Sequence, residues 1–252
     1  YEAKILSALR LLVLNGLVYR GLKPVQWCVT CETALAEAEV EYKDKTSPSV
    51  YVALPVVDAS LPELKDAELL IWTTTPWTLP ANRAVAFHPL LEYALVRAEF
   101  ADGSVRRLIV AQARLDAVMG MLKTSHLRDY RVLHTWKGSE IVSLCSYRLP
   151  YPADSAPPGR CVSADYVTAE DGTGLVHTAP GHGEDDFNTG KREGLEICNP
   201  VDASGRFTDK APRWTGKHIF KEGNPEIIAD LEERGLLLAR KDIQHSYPHC
   251  WR

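Results

Sequence analysis

The sequence predicts an α+β fold: a mostly antiparallel, barrel-like sheet with flanking helices and a small β-ribbon formed by both chain ends. Two observations carry this reading. Runs of β-branched and aromatic residues recur through the middle of the 252-residue chain, separated by Pro, Asp-Gly or acidic turns. Both ends instead carry short pieces broken by Gly, Pro and cysteine. The chain divides accordingly into an N-terminal helix and ribbon junction (1–46), a core (47–238) and a returning ribbon (239–252).

Taken in order, Ile5, Leu6, Leu9, Leu12 and Val13 recur at helical spacing within 3–15, and Gly16 is a natural stop. Short extended pieces follow at 18–20, 25–27 and 39–42, broken by Gly21, Pro24 and the Cys28-x2-Cys31 turn. Strands are predicted at 49–57, 69–74, 84–88, 93–100 and 105–110, with Asp102-Gly103 as a hairpin turn. Residues 111–122 have helical character, and 130–135, 160–168 and 174–178 return to strand. Helices are expected at 184–193 and 225–234, the second with Asn224 as N-cap, Pro225 at its first position and Gly235 as its stop. Residues 150–159, with four prolines, read as a loop.

Bulk properties exclude several classes. A net charge of −4 argues against a dedicated duplex-binding surface, though not against local contact with a single-stranded nucleic-acid end. No apolar run approaches the roughly 18 residues that span a bilayer, so no membrane association is expected. The N-terminus lacks a signal-peptide pattern. Without an initiator Met, the chain reads as excised from something longer. Six cysteines, four of them isolated, fit a reducing, cytoplasmic setting better than a disulfide framework.

Chemistry concentrates in two clusters. Trp72-Thr73-Thr74-Thr75-Pro76-Trp77-Thr78-Leu79-Pro80-Ala81-Asn82 ends the apolar run Leu69-Leu70-Ile71 with four hydroxyls, an amide and two indoles. Such a surplus of neutral hydrogen-bonding groups suits a wall that holds a polar ligand without being charged. Residues 172–187 supply the ionisable groups: His177, His182, Glu184, Asp185 and Asp186. From the residues alone each has a plainer reading. The threonines fit any β-strand, a lone histidine on an apolar strand is usually a core residue, and the acids suit a helix's first turn. A metal reading of His177, His182 and Asp186 is weak, because Pro180 and Gly181 break helical i,i+4 presentation.

Taken together, the clusters change those odds. Residues 72–82 resemble the threonine-rich editing motif of isoleucyl-tRNA synthetases, in bacterial form, and 172–187 resemble their second editing motif, with its histidine and an aspartate nine residues on. The flanks at 21–28, 34–42 and 245–252 resemble the β-ribbon junctions where that editing insertion (CP1) leaves and re-enters the catalytic domain. Sister enzymes for valine and leucine carry a Thr-Thr-Arg-Pro motif where this chain has Thr74-Thr75-Pro76-Trp77.

The resemblance implies hydrolysis of valine wrongly esterified to isoleucine tRNA, by water attack on the aminoacyl ester. The partners it implies are the mischarged acceptor end and the parent's catalytic domain, in a monomer. The need is physical: one methylene discriminates by only about 1–3 kcal/mol, and isoleucine against valine is the standard instance of that limit. Asp186 would hold the substrate ammonium, and His177 would act as the size filter. Thr73, Thr74 and Thr75 would surround the ester and ribose, Asn82 would add an amide contact, and Trp72 or Trp77 would stack on adenine. No cofactor is required for editing. The rival reading is an acceptor-end docking module without hydrolytic activity. Cys28, Cys31 and Cys250 fit either three reduced cysteines in a ribbon without metal, the favoured reading, or a structural zinc with one ligand short, for which His245 or His249 would substitute.

Overall fold

The structure, a computed structural model, describes residues 1–152 and 156–252. The proline-rich loop predicted at 150–159 therefore lies partly outside the described residues. Twelve strands and five helices occur in the described chain. A two-stranded antiparallel ribbon, β1 (Trp27–Cys28) and β2 (Thr33–Ala34), stands apart from one large sheet. That sheet comprises β3 (Val40–Ala59), β4 (Ala67–Thr73), β5 (Ala84–Phe87), β6 (Glu92–Phe100), β7 (Val105–Ala111), β8 (Leu127–Lys137), β9 (Cys145–Tyr147), β10 (Gly159–Ser163), β11 (Leu175–Thr178) and β12 (Leu237–Cys250). The helices are α1 (Glu2–Leu14), α2 (Leu115–Thr124), α3 (Gly138–Ile141), α4 (Glu184–Glu193) and α5 (Asn224–Glu233).

The sheet closes on itself. Its order is β12-β3-β9-β10-β5-β11-β4-β7-β6-β8, and β3 also pairs with β4, so six strands from β3 round to β4 form a barrel. Three pairings, β5 with β10 and β4 with β11 and with β7, are parallel. The other described pairings are antiparallel, as the sequence predicts.

Period-2 alternation explains how one strand serves two cores. In β3, Val50, Val52 and Leu54 enter the barrel interior, while Tyr51 and Ala53 face a second core. In β4, Leu69 and Ile71 point inward and Leu70 outward. A strand buried on both faces needs an unbroken apolar run, which is what Leu69-Leu70-Ile71 supplies. The second core is covered by α2, whose Leu115, Val118, Met119 and Leu122 are buried at i, i+3, i+4 and i+7.

Several boundaries differ from the sequence reading. The pieces at 39–42 and 49–57 are one twenty-residue strand, because β12 supplies ladder partners from Cys250 opposite Val40 to Leu237 opposite Val52. Residues 18–20 are not strand. The helix expected from 111 begins at Leu115, after a 3-10 turn at 112–114. Strand β10 stops at Ser163 rather than 168. Asn224 is not the N-cap of α5; it is the helix's first residue, and its Oδ1 accepts from the Trp77 amide instead. Helix α1 is exposed along its whole length, including Leu6 and Leu9. No helix among the described residues is long and apolar enough to cross a membrane.

Candidate active site

A cleft of about 340 Å³ opens beside β4 and β11. These strands are paired at one position, Val176 opposite Trp72. Residues 72–75 line one wall, and 171–177 with His182 and Asp186 line the other. The two clusters, about a hundred residues apart in sequence, thus form a single site.

The threonine wall is held by its own hydrogen bonds. The Thr75 amide donates to Thr73 Oγ1 (3.1 Å), and the Thr73 and Thr75 hydroxyls lie 3.3 Å apart. Thr78 donates to the Thr75 carbonyl (2.9 Å) at the start of a 3-10 turn over Pro76–Ala81. Thr74 lines the cleft half-buried. The Trp72 indole donates to Ser49 Oγ and lies against Gly172 so closely that a Cβ there would come within 2.7 Å of the ring. Gly172 and Gly174 have φ of +63° and +76°, a left-handed conformation that L side chains adopt at a cost, and this lets the 171–174 turn form the cleft edge. Arg114 fixes that turn by donating to the Glu170 (2.7 Å) and Gly172 (3.1 Å) carbonyls.

His177 faces the barrel interior at the end of β11. Its Nε2 lies 3.0 Å from Thr78 Oγ1 and its Nδ1 2.6 Å from Asn82 Nδ2. Burial pushes its pKa down to about 3, and the neighbouring His182 adds to the shift. A neutral ring with both nitrogens engaged can neither take a proton near neutral pH nor ligate a metal. Both of its polar atoms are thus taken up by the protein.

Asp186 is the third residue of α4. It does not cap its own helix: Oδ2 reaches back to accept from the Ala179 amide (2.8 Å), while Glu184 and Asp185 are exposed. Burial raises its carboxyl to about 6; the Ala179 N–H works against that rise and the Asp185 charge adds to it. A half-buried carboxylate with no cationic partner among the described residues is suited to receive a cation. Gly190 lets α4 approach, since a Cβ there would sit 2.7 Å from Pro180 Cβ.

Two expected contacts are placed elsewhere. Asn82 is only 1% exposed, and its amide is engaged by Tyr147, Ala84 and His177, so it does not contact a ligand in the cleft. Trp77 lies outside the cleft lining, edge-on to His182 at 5.1 Å, whereas Trp72 does line it. His182, Tyr166 and Thr78 line the cleft as well. The His182 Nε2 and Tyr166 hydroxyl are buried without a partner among the described residues. Burial holds the His182 pKa down near 4. The sequence offered His182 only as an implausible metal ligand, and no spacing rule points to Tyr166.

At the ribbon, one ligand atom from each of Cys28, Cys31 and Cys250 lies within 4.8 Å of the others. The Cys31 amide donates to Cys28 Sγ (3.4 Å) and lowers that thiol's pKa. His245 and His249 are engaged elsewhere, with Ser47 Oγ (3.0 Å) and the Tyr247 carbonyl (2.8 Å).

In its fold the chain is similar to a CP1 domain. The crystal structure of GlLeuRS-CP1 matches with a TM-score of 0.54, over 80% of this chain and 100% of that one, at 13% identity. The family model of tRNA synthetases class I (I, L, M and V) matches residues 1–233, and the chain belongs to that family. It is 47% identical over its full length to the isoleucine–tRNA ligase of Carboxydothermus hydrogenoformans and 46% identical to that of Petrotoga mobilis. The chain spans about a quarter of the length of these relatives, 26% in each case.

Proposed function

We propose that this chain is the editing module of an isoleucine–tRNA ligase and hydrolyses valine esterified to isoleucine tRNA. The observation that carries the reading is the division of the cleft: an uncharged threonine wall faces a single half-buried carboxylate, Asp186. A free ammonium separates an aminoacyl ester from other esters, and a partly desolvated carboxylate is its charge-assisted partner. Binding the ammonium also offsets the cost of keeping Asp186 ionised.

Hydroxyls of Thr73, Thr74 and Thr75, with the Thr74 backbone amide, would surround the ester carbonyl and the terminal ribose, stabilising the oxyanion as water adds; the Thr75 amide is already taken by Thr73 Oγ1. The bond from carbonyl carbon to ribose oxygen then breaks, releasing valine and restoring the hydroxyl on the tRNA. No cysteine is among the cleft-lining residues, so no thioester forms, and direct attack by water is the economical route. His177 serves as the size filter, because its ring is neutral, buried and hydrogen-bonded at both nitrogens. Trp72 is the indole available to the terminal base. The apolar face of α1 would pack on the parent's catalytic domain.

In the parent ligase, Asp186→Ala should abolish deacylation of valyl-tRNA while aminoacylation persists. A variant that clears valyl-tRNA at the normal rate would refute the reading, and a parent that never clears it would leave a docking module.

Cys28, Cys31 and Cys250 would hold a structural zinc. Thiolates are soft ligands of suitable type, and three of the usual four converge. Zinc titration of the parent against a Cys28→Ser variant, read as bound metal per chain, tests this.

A further inference from the structure

Hydrogen bonds run in one direction from the barrel interior to the threonine turn. Tyr147 on β9 is fully buried and donates its hydroxyl to Asn82 Oδ1 (2.6 Å). The Asn82 Nδ2 faces both the Ala84 carbonyl (3.0 Å) and His177 Nδ1 (2.6 Å). A carbonyl only accepts, so the amide nitrogen, not its oxygen, points to Ala84 and His177. His177 Nδ1 is then the acceptor, and the neutral ring carries its hydrogen on Nε2. That hydrogen goes to Thr78 Oγ1 (3.0 Å), and Thr78 donates in turn to the Thr75 carbonyl (2.9 Å). Neither Tyr147 nor Asn82 lines the cleft.

We infer that Tyr147 and Asn82 are positioning residues: they lock His177 into its Nε2–H tautomer and hold its ring against the cleft, so side-chain discrimination is set from inside the barrel. Turning the ring over would place C–H groups against the Asn82 donor and the Thr78 acceptor, which opposes that motion. A filter that must resolve one methylene depends on such immobility. The sheet supports the same ring, for Cys161, Val85 and His177 form one cross-strand row through β10, β5 and β11. The functional consequence rests on the editing reading; the tautomer does not.

The experiment has two arms. In the full chain labelled with 15N at histidine, the imidazole shifts of His177, assigned by their loss in His177→Gln, report the tautomer. The wild type should show Nε2–H alone. Asn82→Asp presents an acceptor to Nδ1 and should move the hydrogen there. In the parent ligase, Tyr147→Phe keeps the ring and removes the hydroxyl. It should lower the preference for valyl- over isoleucyl-tRNA about tenfold, the equivalent of one hydrogen bond, mainly by raising isoleucyl hydrolysis. A simply misfolded site would instead lose both hydrolyses together.

A wild-type Nδ1–H signal, or unchanged discrimination in Tyr147→Phe, overturns the proposal. If Asn82→Asp does not fold, the wild-type tautomer and Tyr147→Phe decide. If the wild-type parent hydrolyses neither ester, the editing reading falls, and the tautomer arm alone decides the relay.

Discussion

Replacing Asp186 with asparagine should stabilise the protein while removing the proposed deacylation. The amide keeps the carboxylate's shape and an oxygen for the Ala179 N–H, but carries no charge to desolvate. Burial lifts the Asp186 carboxyl from 3.8 to about 6. The folded state therefore holds the proton more tightly than the unfolded state does. Below about pH 4 the group is protonated in both states and costs nothing. Between pH 4 and 6 the unfolded chain ionises first, and stability falls as pH rises. Above about pH 6 the full difference, roughly 3 kcal/mol, is lost. Asp186→Asn removes that penalty, so it should gain about 1–3 kcal/mol near neutral pH, with the gain shrinking toward zero near pH 4. Urea denaturation at both pH values measures this, with an unchanged m-value confirming that the unfolded states are comparable. Valyl-tRNA deacylation by the wild-type parent, followed as kcat/KM, should fall as pH drops through about 6, because protonated Asp186 cannot attract an ammonium. A variant no more stable than wild type at neutral pH, or one equally stabilised near pH 4, would refute the argument that this carboxylate is kept charged against its environment.

Two further perturbations separate shape from charge. His177→Ala should open the cleft so that isoleucyl-tRNA is hydrolysed alongside valyl-tRNA, and should cost about 2–4 kcal/mol of stability because it strands the Asn82 and Thr78 groups; unchanged discrimination would remove His177 from the filter. Gly190→Ala should destabilise by about 1–2 kcal/mol in thermal or urea unfolding, because the strain of a Cβ 2.7 Å from Pro180 outweighs the gain in helix propensity. It should also raise KM by moving α4 and Asp186, and a stabilised variant would show that the helix yields freely.

Much of the barrel is legible because burial on one or two faces writes itself as alternation or as an unbroken apolar run. The run at Leu69–Ile71, whose residues alternate between the two cores, is an example. The joined strand β3 is not legible: residues 43–48 are polar and include Pro48, and only pairing with β12 makes them strand. Helix α2 begins late because Ala111, apolar like its helical neighbours, ends β7, where its amide donates to the Thr173 carbonyl (2.9 Å). Asn224 illustrates the same limit. Its sequence context suits an N-cap, yet the Trp77 amide, 147 residues away, takes its side chain.

The sequence by itself determined the chemical inventory: neutral hydroxyls in one segment, a histidine and acids in another, and the family whose motifs they resemble. It determined, too, that strands dominate the middle of the chain. Only the tertiary structure decided which groups face the cleft and which face each other. Asn82 and His177 lie 95 residues apart, and each looks free to meet a ligand until β5 and β11 pair and bring them to 2.6 Å. Side-chain roles that depend on a long-range partner are set by closure of the barrel, because hydrogen bonds and desolvation act over a few ångströms of space and not along the chain.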